Sequence, residues 1–310
     1  MTARTRVRRA AGLGARVLRL PMQLHNVFHH PANRDDRFGA LRRWFAWQVG
    51  ARLVSYPVIA PFVDDTRLVA TPGMNGVTGN IYFGLAEYEE MAFALHLLRA
   101  DDLFVDVGAN AGAYTVLAAG AAGARVVAFE PVAASADMLA RNVRLNDLDA
   151  RVELHRAGVG AQGGVSAFTQ DFDTTNRVAL PGEHGASAPL VTLDDTLGAR
   201  AATLIKIDVE GFESEALRGA AQTLAKPELI ALIVEINGAC ATYGFSARDV
   251  EGPLHAAGFR PFAYRPTERR LAPLDAAHAR DGNVIFVRDL AAVESRLRAA
   301  PRHRTAAGVV

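Results

Sequence analysis

The sequence predicts an α/β fold: a mostly parallel sheet with an antiparallel last strand, preceded by a helical N-terminal extension. Three observations carry this. Leu103 to Glu130 reads as strand, Gly-rich turn, helix, strand and terminal acid. Leu204 to Glu210, L-I-K-I-D-V-E, alternates apolar and charged residues with the period of a strand, and Gly211 breaks it. Phe259 to Tyr264 and Asn283 to Val287 read as two strands joined through Pro266 and Pro273 without a helix, which makes them antiparallel.

Composition bounds the rest. At 310 residues, half of them hydrophobic, the chain forms one large domain or one domain with an extension. A net charge of +1 gives no global polyanion signal. A single cysteine, Cys240, excludes an intramolecular disulfide framework and suits a reducing, cytoplasmic compartment. No run of about 18 apolar residues occurs, so no membrane span is expected.

In chain order, residues 1–20 hold six arginines (Arg4, Arg6, Arg8, Arg9, Arg16, Arg19) and no acid. They read either as an arm that touches acidic lipid, a peripheral membrane contact, or as a solvated terminus. No aromatics interleave with them, so no nucleic acid is expected. Phe38 to Leu53 has helical spacing, with Leu41, Trp44, Phe45, Gln48 and Val49 along one side. It packs on the main domain by default; a second subunit or a membrane surface are the alternatives. Pro57 and Pro61 end that pattern. Arg67 to Phe83 reads as short strands and a hairpin around Pro72-Gly73 and Asn75-Gly76. Leu85 to Leu98 is a helix with Met91, Leu95 and Leu98 inward, Glu87 and Tyr88 either on its surface or as a lid over the ligand, and His96 structural.

Leu103 to Val107 suits a buried parallel strand. Gly108 to Gly112 turn the chain, and Ala113 to Ala122 reads as a helix. The helix start offers free N–H groups to an anion. Val126 to Phe129 is the next strand, and Glu130 at its end is placed to bind two ribose hydroxyls. Ala134 to Asn146 is a helix whose Asn142 and Asn146 share a face, either beside an adenine or as helix-end caps. Arg151 to Leu154 is the third strand, and Ala157 to Gly160 lets backbone pass close to the adenine. Gln162 to Leu193 departs from β-α alternation and reads as extra strands or a long loop. It carries Phe168, Phe172, Arg177 and His184 and is the candidate acceptor-recognition segment. In Leu204 to Glu210, Lys206, Asp208 and Glu210 share one side, which fits a central strand ending in a cleft. Glu213 opens a helix. Leu229 to Asn237 is the most apolar strand and brings Glu235 to the same cleft. Arg248 to Gly258 and Asp289 to Ala300 read as helices, and Pro301 onward as disordered.

The ligand follows from the turn. Dinucleotide binders use G-x-G-x-x-G; this chain has D-V-G-A-N-A-G-A-Y from Asp106 to Tyr114. A leading carboxylate suits a cationic amine better than a phosphate, which matches S-adenosylmethionine. The strings F-V-D-V-G-A-N-A-G-A-Y-T, V-V-A-F-E-P, V-T-L-D-D-T-L and L-I-K-I-D-V-E-G-F-E together resemble the FkbM-type methyltransferases, over roughly Gly79 to Val287, about two-thirds of the chain. The resemblance implies a class I methyltransferase Rossmann-like fold and S-adenosyl-L-methionine as cofactor. It implies a small-molecule or carbohydrate acceptor, with oxygen favoured over nitrogen as the methylated atom. Cofactor contacts are then expected from Asp106, Gly108, Ala109, Asn110, Gly112, Tyr114, Glu130, Pro131 and Asn142. Asp208 is the expected base, Lys206 its positioning partner or an oxyanion stabiliser, and Glu210 an orienting group. A divalent metal on Asp208, Glu210 and Glu235 is a less favoured variant. The expected organisation is a basic arm and amphipathic extension over 1–66, the methyltransferase domain over 67–290, and a helix end with a disordered tail over 291–310. The competing functions are a nicotinamide-dependent oxidoreductase, against which Asp106 and the missing third glycine speak, and a non-catalytic, membrane-peripheral binding protein.

Overall fold

The computed structural model describes residues 22–54, 57–71, 74–170, 175–274 and 282–310. The arginine-rich arm, the Pro72-Gly73 turn and Phe172 lie outside the described residues.

The extension begins with a helical turn series over 22–29 and helix α1 (Arg37–Leu53), capped by the Asp36 carboxylate, which accepts from the Gly39 N–H. Strands β1 (Val58–Pro61) and β2 (Arg67–Ala70) pair antiparallel. Helices α2 (Asn75–Phe83) and α3 (Tyr88–Leu97) then lead into the sheet. β3 (Leu103–Val107), helix α4 (Ala113–Val116) running into a π turn over Leu117–Ala121, β4 (Arg125–Phe129), α5 (Ala133–Leu145) and β5 (Val152–His155) follow. Next come β6 (Gly158–Val159), β7 (Gly164–Phe168) and β8 (Ala186–Val191), a separate three-stranded sheet, and α6 (Leu193–Leu197). The second half of the main sheet is β9 (Leu204–Ile207), α7 (Glu213–Arg218), α8 (Ala221–Ala225), β10 (Ala231–Ile236), α9 (Ala247–Ala256), β11 (Arg260–Arg265), β12 (Arg270–Pro273) and β13 (Gly282–Val287). Helix α10 (Leu290–Arg298) and strands β14 (Arg304–Thr305) and β15 (Gly308–Val309) close the chain.

The eight-stranded sheet has the order β12-β11-β13-β10-β9-β3-β4-β5. β5, β4, β3, β9 and β10 run parallel, while β13 lies antiparallel between β10 and β11. The antiparallel last strand is therefore present. β12 is an additional edge strand made from the Pro266–Pro273 link. From β3 the chain moves outward through β4 and β5, then returns to continue from β9 on the other side. The reversal between β3 and β9 opens a crevice at their carboxyl ends, where ligands of open α/β sheets bind.

The two faces of the sheet bury alternate residues. Phe104, Val126, Leu204 and Ile233 pack under α3 and α10 through Met91, Leu95, Val293 and Leu297. Val105, Val127, Ile205 and Leu232 pack under α7 and α9 through Leu217, Val250 and Leu254. This is the period-two alternation of strands covered on both faces.

Four expectations need correction. Residues 75–83 form a helix, not part of a hairpin. Val77 and Asn80, three apart, are both buried, and the Asn80 side chain accepts from the Ala86 N–H and donates to the Gly76 carbonyl. The hairpin lies earlier, at β1–β2, so a boundary at residue 66 would cut through it. In α1 the inward side is Ala40 and Trp44, with Leu41 and Trp47 packed beside it; Phe45 and Val49 face outward. The larger indoles take the contact with α2, and that rotation leaves Phe45 and Val49 on the opposite side. Residues 301–310 are ordered. His303 is buried, its Nδ1 sits 2.7 Å from the Asp64 carboxylate, and the Arg304 N–H donates to the same group. The final hairpin thereby clamps the β1–β2 turn.

Candidate functional site

The turn after β3 is built by contacts on both sides. Gly108 has φ +81°, and a Cβ there would strike the Asp208 carbonyl oxygen at 1.8 Å. Its missing side chain thus lets the β3 turn lie against the end of β9, a use the sequence reading assigned to ligand approach. Gly112 has φ +87° and faces Leu139 of α5, which a Cβ would meet at 2.8 Å. Asn110, a non-glycine at φ +48°, places its N–H against Glu130.

Glu130 is buried, and its two oxygens accept from the Asn110 N–H and the Val132 N–H, both at 2.8 Å. Burial pushes its carboxyl up to about 7, against the downward pull of those two bonds. Each oxygen keeps a further lone pair. Glu130 and Pro131 border a slot walled by Phe129, Val159, Phe168, Arg177, Val178 and Phe212. This slot, bordered by Glu130 and also by Asp208 and Glu210, offers ring faces to a base and carboxylate lone pairs to ribose hydroxyls.

A second cavity of ≈ 330 Å³ lies across the turn. Ala109, Asp106, Tyr114, Glu87, Lys206, Glu235 and Asn283 line it, and it shares Gly108, Asn110, Asp208 and Glu210 with the slot. Lys206 is buried and donates to Asp208 at 2.5 Å. Burial disfavours its ammonium, but the carboxylates of Asp208, Glu87 and Asp106 together outweigh that and raise its pKa. Its Nζ also lies 4.8 Å from the Tyr114 ring centre. Tyr114 donates its hydroxyl to Glu87 at 2.7 Å, and Asn283 donates to the same oxygen at 2.9 Å. Asp106 accepts from Thr115 at 2.6 Å and is pushed up to about 6 by burial, with Lys206 opposing.

Glu210 stands at φ +55°, a backbone conformation that is costly for a residue with a Cβ. Glu213 pins that turn by accepting from the Val209 and Gly211 N–H groups at 3.0 and 3.1 Å. Burial and the neighbouring Asp208 and Glu213 push Glu210 up to about 7; burial, Asp208 and Glu210 raise Glu235 as well. Carboxylate oxygens of Asp208, Glu210 and Glu235 lie within 4.8 Å of one another, a separation at which a divalent cation fits. Among the described residues the Glu235 Oε2 and Asn283 Oδ1 atoms are buried without a hydrogen-bond partner, so both are open to a ligand.

Most of the expected site residues converge on these two cavities. Asn142 does not. It is fully buried behind the turn, donating to the Ala111 carbonyl and accepting from the Val69 N–H, while Asn146 accepts from Arg67. The shared face of the two asparagines feeds the free edge of β2. Phe168 and Arg177, expected on the acceptor side, border the slot beside Glu130 instead, because β6 pairs parallel with β8 and folds this segment back. His184 is exposed and lines neither cavity. For Glu87 the sequence leaves a lid over the cofactor and a plain helix-surface residue as alternatives, and it does not single out Asn283. The only local signal for Glu87 is its position as the N-cap of α3.

Comparison with known proteins adds the following. A family model described as the methyltransferase FkbM domain matches residues 106–261. No curated protein sequence matches the chain. Among solved structures, a methyltransferase FkbM from Methylobacillus flagellatus KT is 19% identical, with 80% of this chain and 59% of that one covered at a TM-score of 0.42. A SAM-dependent O-methyltransferase from Thermotoga maritima is 15% identical, covering 64% and 62% at 0.37. A precorrin-6y C5,15-methyltransferase from Geobacter metallireducens GS-15 is 13% identical, covering 75% and 98% at 0.41. The chain thus spans 59% of the length of the Methylobacillus protein.

Proposed function

The chain belongs to the FkbM methyltransferase family, and from that premise we propose that it is an S-adenosylmethionine-dependent O-methyltransferase acting on a hydroxyl of a sugar or small-molecule natural product. One observation carries the reading: the slot beside Glu130 and the acid-lined cavity meet at a common wall of Gly108, Asn110, Asp208 and Glu210. A donor with its adenosine in the slot and its amine end across that wall beside Asp106 would present its methyl group to an acceptor in the remainder of the cavity.

The cofactor supplies an electrophilic methyl carbon on a sulfonium. The chain's own work is alignment, worth up to roughly 7–11 kcal/mol in favourable cases, together with handling one proton. Glu130 holds the ribose hydroxyls, and Asp106 faces the cationic amine end. A hydroxyl acceptor loses its proton as it attacks, and Asp208 accepts it at a carboxylate oxygen. Lys206 orients that carboxylate, and Glu210, held by Glu213, orients the acceptor. A divalent cation on Asp208, Glu210 and Glu235 is a second reading, favoured by their mutual spacing; EDTA would then abolish turnover.

Isothermal titration tests the main reading. S-adenosylhomocysteine should bind and NAD should not. Tight NAD binding with no heat from S-adenosylhomocysteine would overturn it.

A further inference from the structure

Helix α1 is apolar on two sides. Ala40, Trp44 and Trp47 face the protein. On the opposite side Phe38, Phe45, Val49 and Leu53 stand 82%, 63%, 40% and 79% exposed. At 3.6 residues per turn these four fall within an arc of about 80°, so they form one stripe. The concentration is specific to this part of the molecule: eight of the eleven large apolar side chains exposed among the described residues lie between Met22 and Ile59. Single exposed apolar residues are ordinary, whereas a continuous stripe marks a surface that something covers.

Charge identifies the cover. Residues 1–54 contain eleven arginines and two aspartates, hence a net +9. The whole chain nets +1, so everything after residue 54 nets −8. Arg42 stands exposed within the stripe, and Arg37 is exposed at its start. A second copy docking stripe to stripe would bring +9 against +9. Covering by residues 1–20 would likewise bring six arginines toward Arg37 and Arg42. An anionic lipid surface meets both features at once: acyl chains accept the phenyl and leucyl groups, and headgroups pair with the guanidinium groups. The net-negative remainder is repelled by the same surface, which orients the molecule with α1 down.

We propose that α1 docks this protein on anionic membranes, with Phe38, Phe45, Val49 and Leu53 entering the headgroup boundary and Arg34, Arg37 and Arg42 pairing with lipid phosphates. The docking does not depend on the methyl-transfer reading. It has a consequence for the site, because α1 packs on α2 through Tyr82 and Phe83, and α2 lines the acid-lined cavity with Gly76 and Asn80. One helix therefore separates the lipid-facing stripe from the cavity.

Vesicle flotation of the full chain tests this, with phosphatidylcholine vesicles and with phosphatidylcholine–phosphatidylglycerol vesicles. The protein should float with the anionic vesicles only, and less so as salt rises. The double variant Phe38→Ser/Phe45→Ser should lower vesicle affinity by about 10²-fold. Its thermal melt should be unchanged, because both side chains are already exposed. Arg42→Glu should weaken binding to the anionic vesicles by less than the double variant does. Three results would overturn the proposal: no flotation of the wild type with either vesicle, flotation of the double variant equal to wild type, or a solution dimer that the double variant dissolves.

Discussion

Glu130 and Asp208 are acids at the carboxyl ends of two strands of one sheet, yet their surroundings differ in kind. Glu130 has a backbone N–H on each oxygen, both at 2.8 Å. Asp208 has a buried lysine at 2.5 Å and two further glutamates within 4.8 Å. The first environment fixes a carboxylate in place with rigid main-chain donors, which suits holding a ligand equally in ground and transition states. The second loads a cavity with charge that a proton, a cation or an acceptor can rebalance, which suits a step in the reaction. The same type of side chain is thus assigned two tasks by what surrounds it.

The largest effect should come from the charged side of this comparison. Asp208→Asn keeps the shape and removes the proton acceptor. Turnover at saturating cofactor should fall by about 10²- to 10⁴-fold, with S-adenosylhomocysteine affinity little changed. Loss of affinity with turnover retained would make Asp208 a cofactor ligand and merge the two regions. On the other side, Glu130→Gln removes a charged acceptor worth about 1.5–3 kcal/mol. S-adenosylhomocysteine should bind roughly 10- to 150-fold more weakly in calorimetry, and excess cofactor should restore much of the rate.

Acidity sharpens the contrast further. Glu130 and Glu210 are both pushed up to about 7 by burial, and Glu235 is raised as well, from an ordinary value of 4.5. The folded state therefore holds these protons more tightly than the unfolded chain does. Their stabilising contribution is complete below about 4.5 and is lost as pH rises through about 7 for Glu130 and Glu210 and through about 9 for Glu235. Melting temperature should fall from about pH 4.5 to about pH 9, and Glu235→Gln should make the fall shallower. An unchanged slope in Glu235→Gln would mean that this carboxyl is not strained by its neighbours. The smallest effect belongs far from both acids. Asp64→Ala removes the tie to His303 and Arg304 and should cost about 1–2 kcal/mol of stability, read by denaturant melts, without altering cofactor affinity.

Legibility in the sequence divided along the distance between partners. The unit from β3 to Glu130 was readable because its features are local: a buried apolar run, two glycines and an acid in order. Lys206, Asp208 and Glu210 were read together from a strand period, although β9 ends at Ile207 and Glu210 stands in a turn at φ +55°; Glu235 was read from the end of the most apolar run. Contacts that span the chain left no such mark. Glu87 meets Asn283 across 196 residues, and Asp64 meets His303 across 239. The turn chemistry of Asn75-Gly76 was overridden by the burial of Val77 and Asn80 on one helical side. Phe168 and Arg177 reached the slot through a parallel β6–β8 pairing that no periodicity announces.

A crystal structure of the complex with S-adenosylhomocysteine tests the division of labour most directly. The account predicts both ribose hydroxyls within hydrogen-bond distance of the Glu130 carboxylate, the adenine between Val159 and Phe168, and the sulfur at the wall shared by Gly108 and Asp208. An adenosine lying in the acid-lined cavity beside Glu235, with Glu130 still bonded only to Asn110 and Val132, would contradict it.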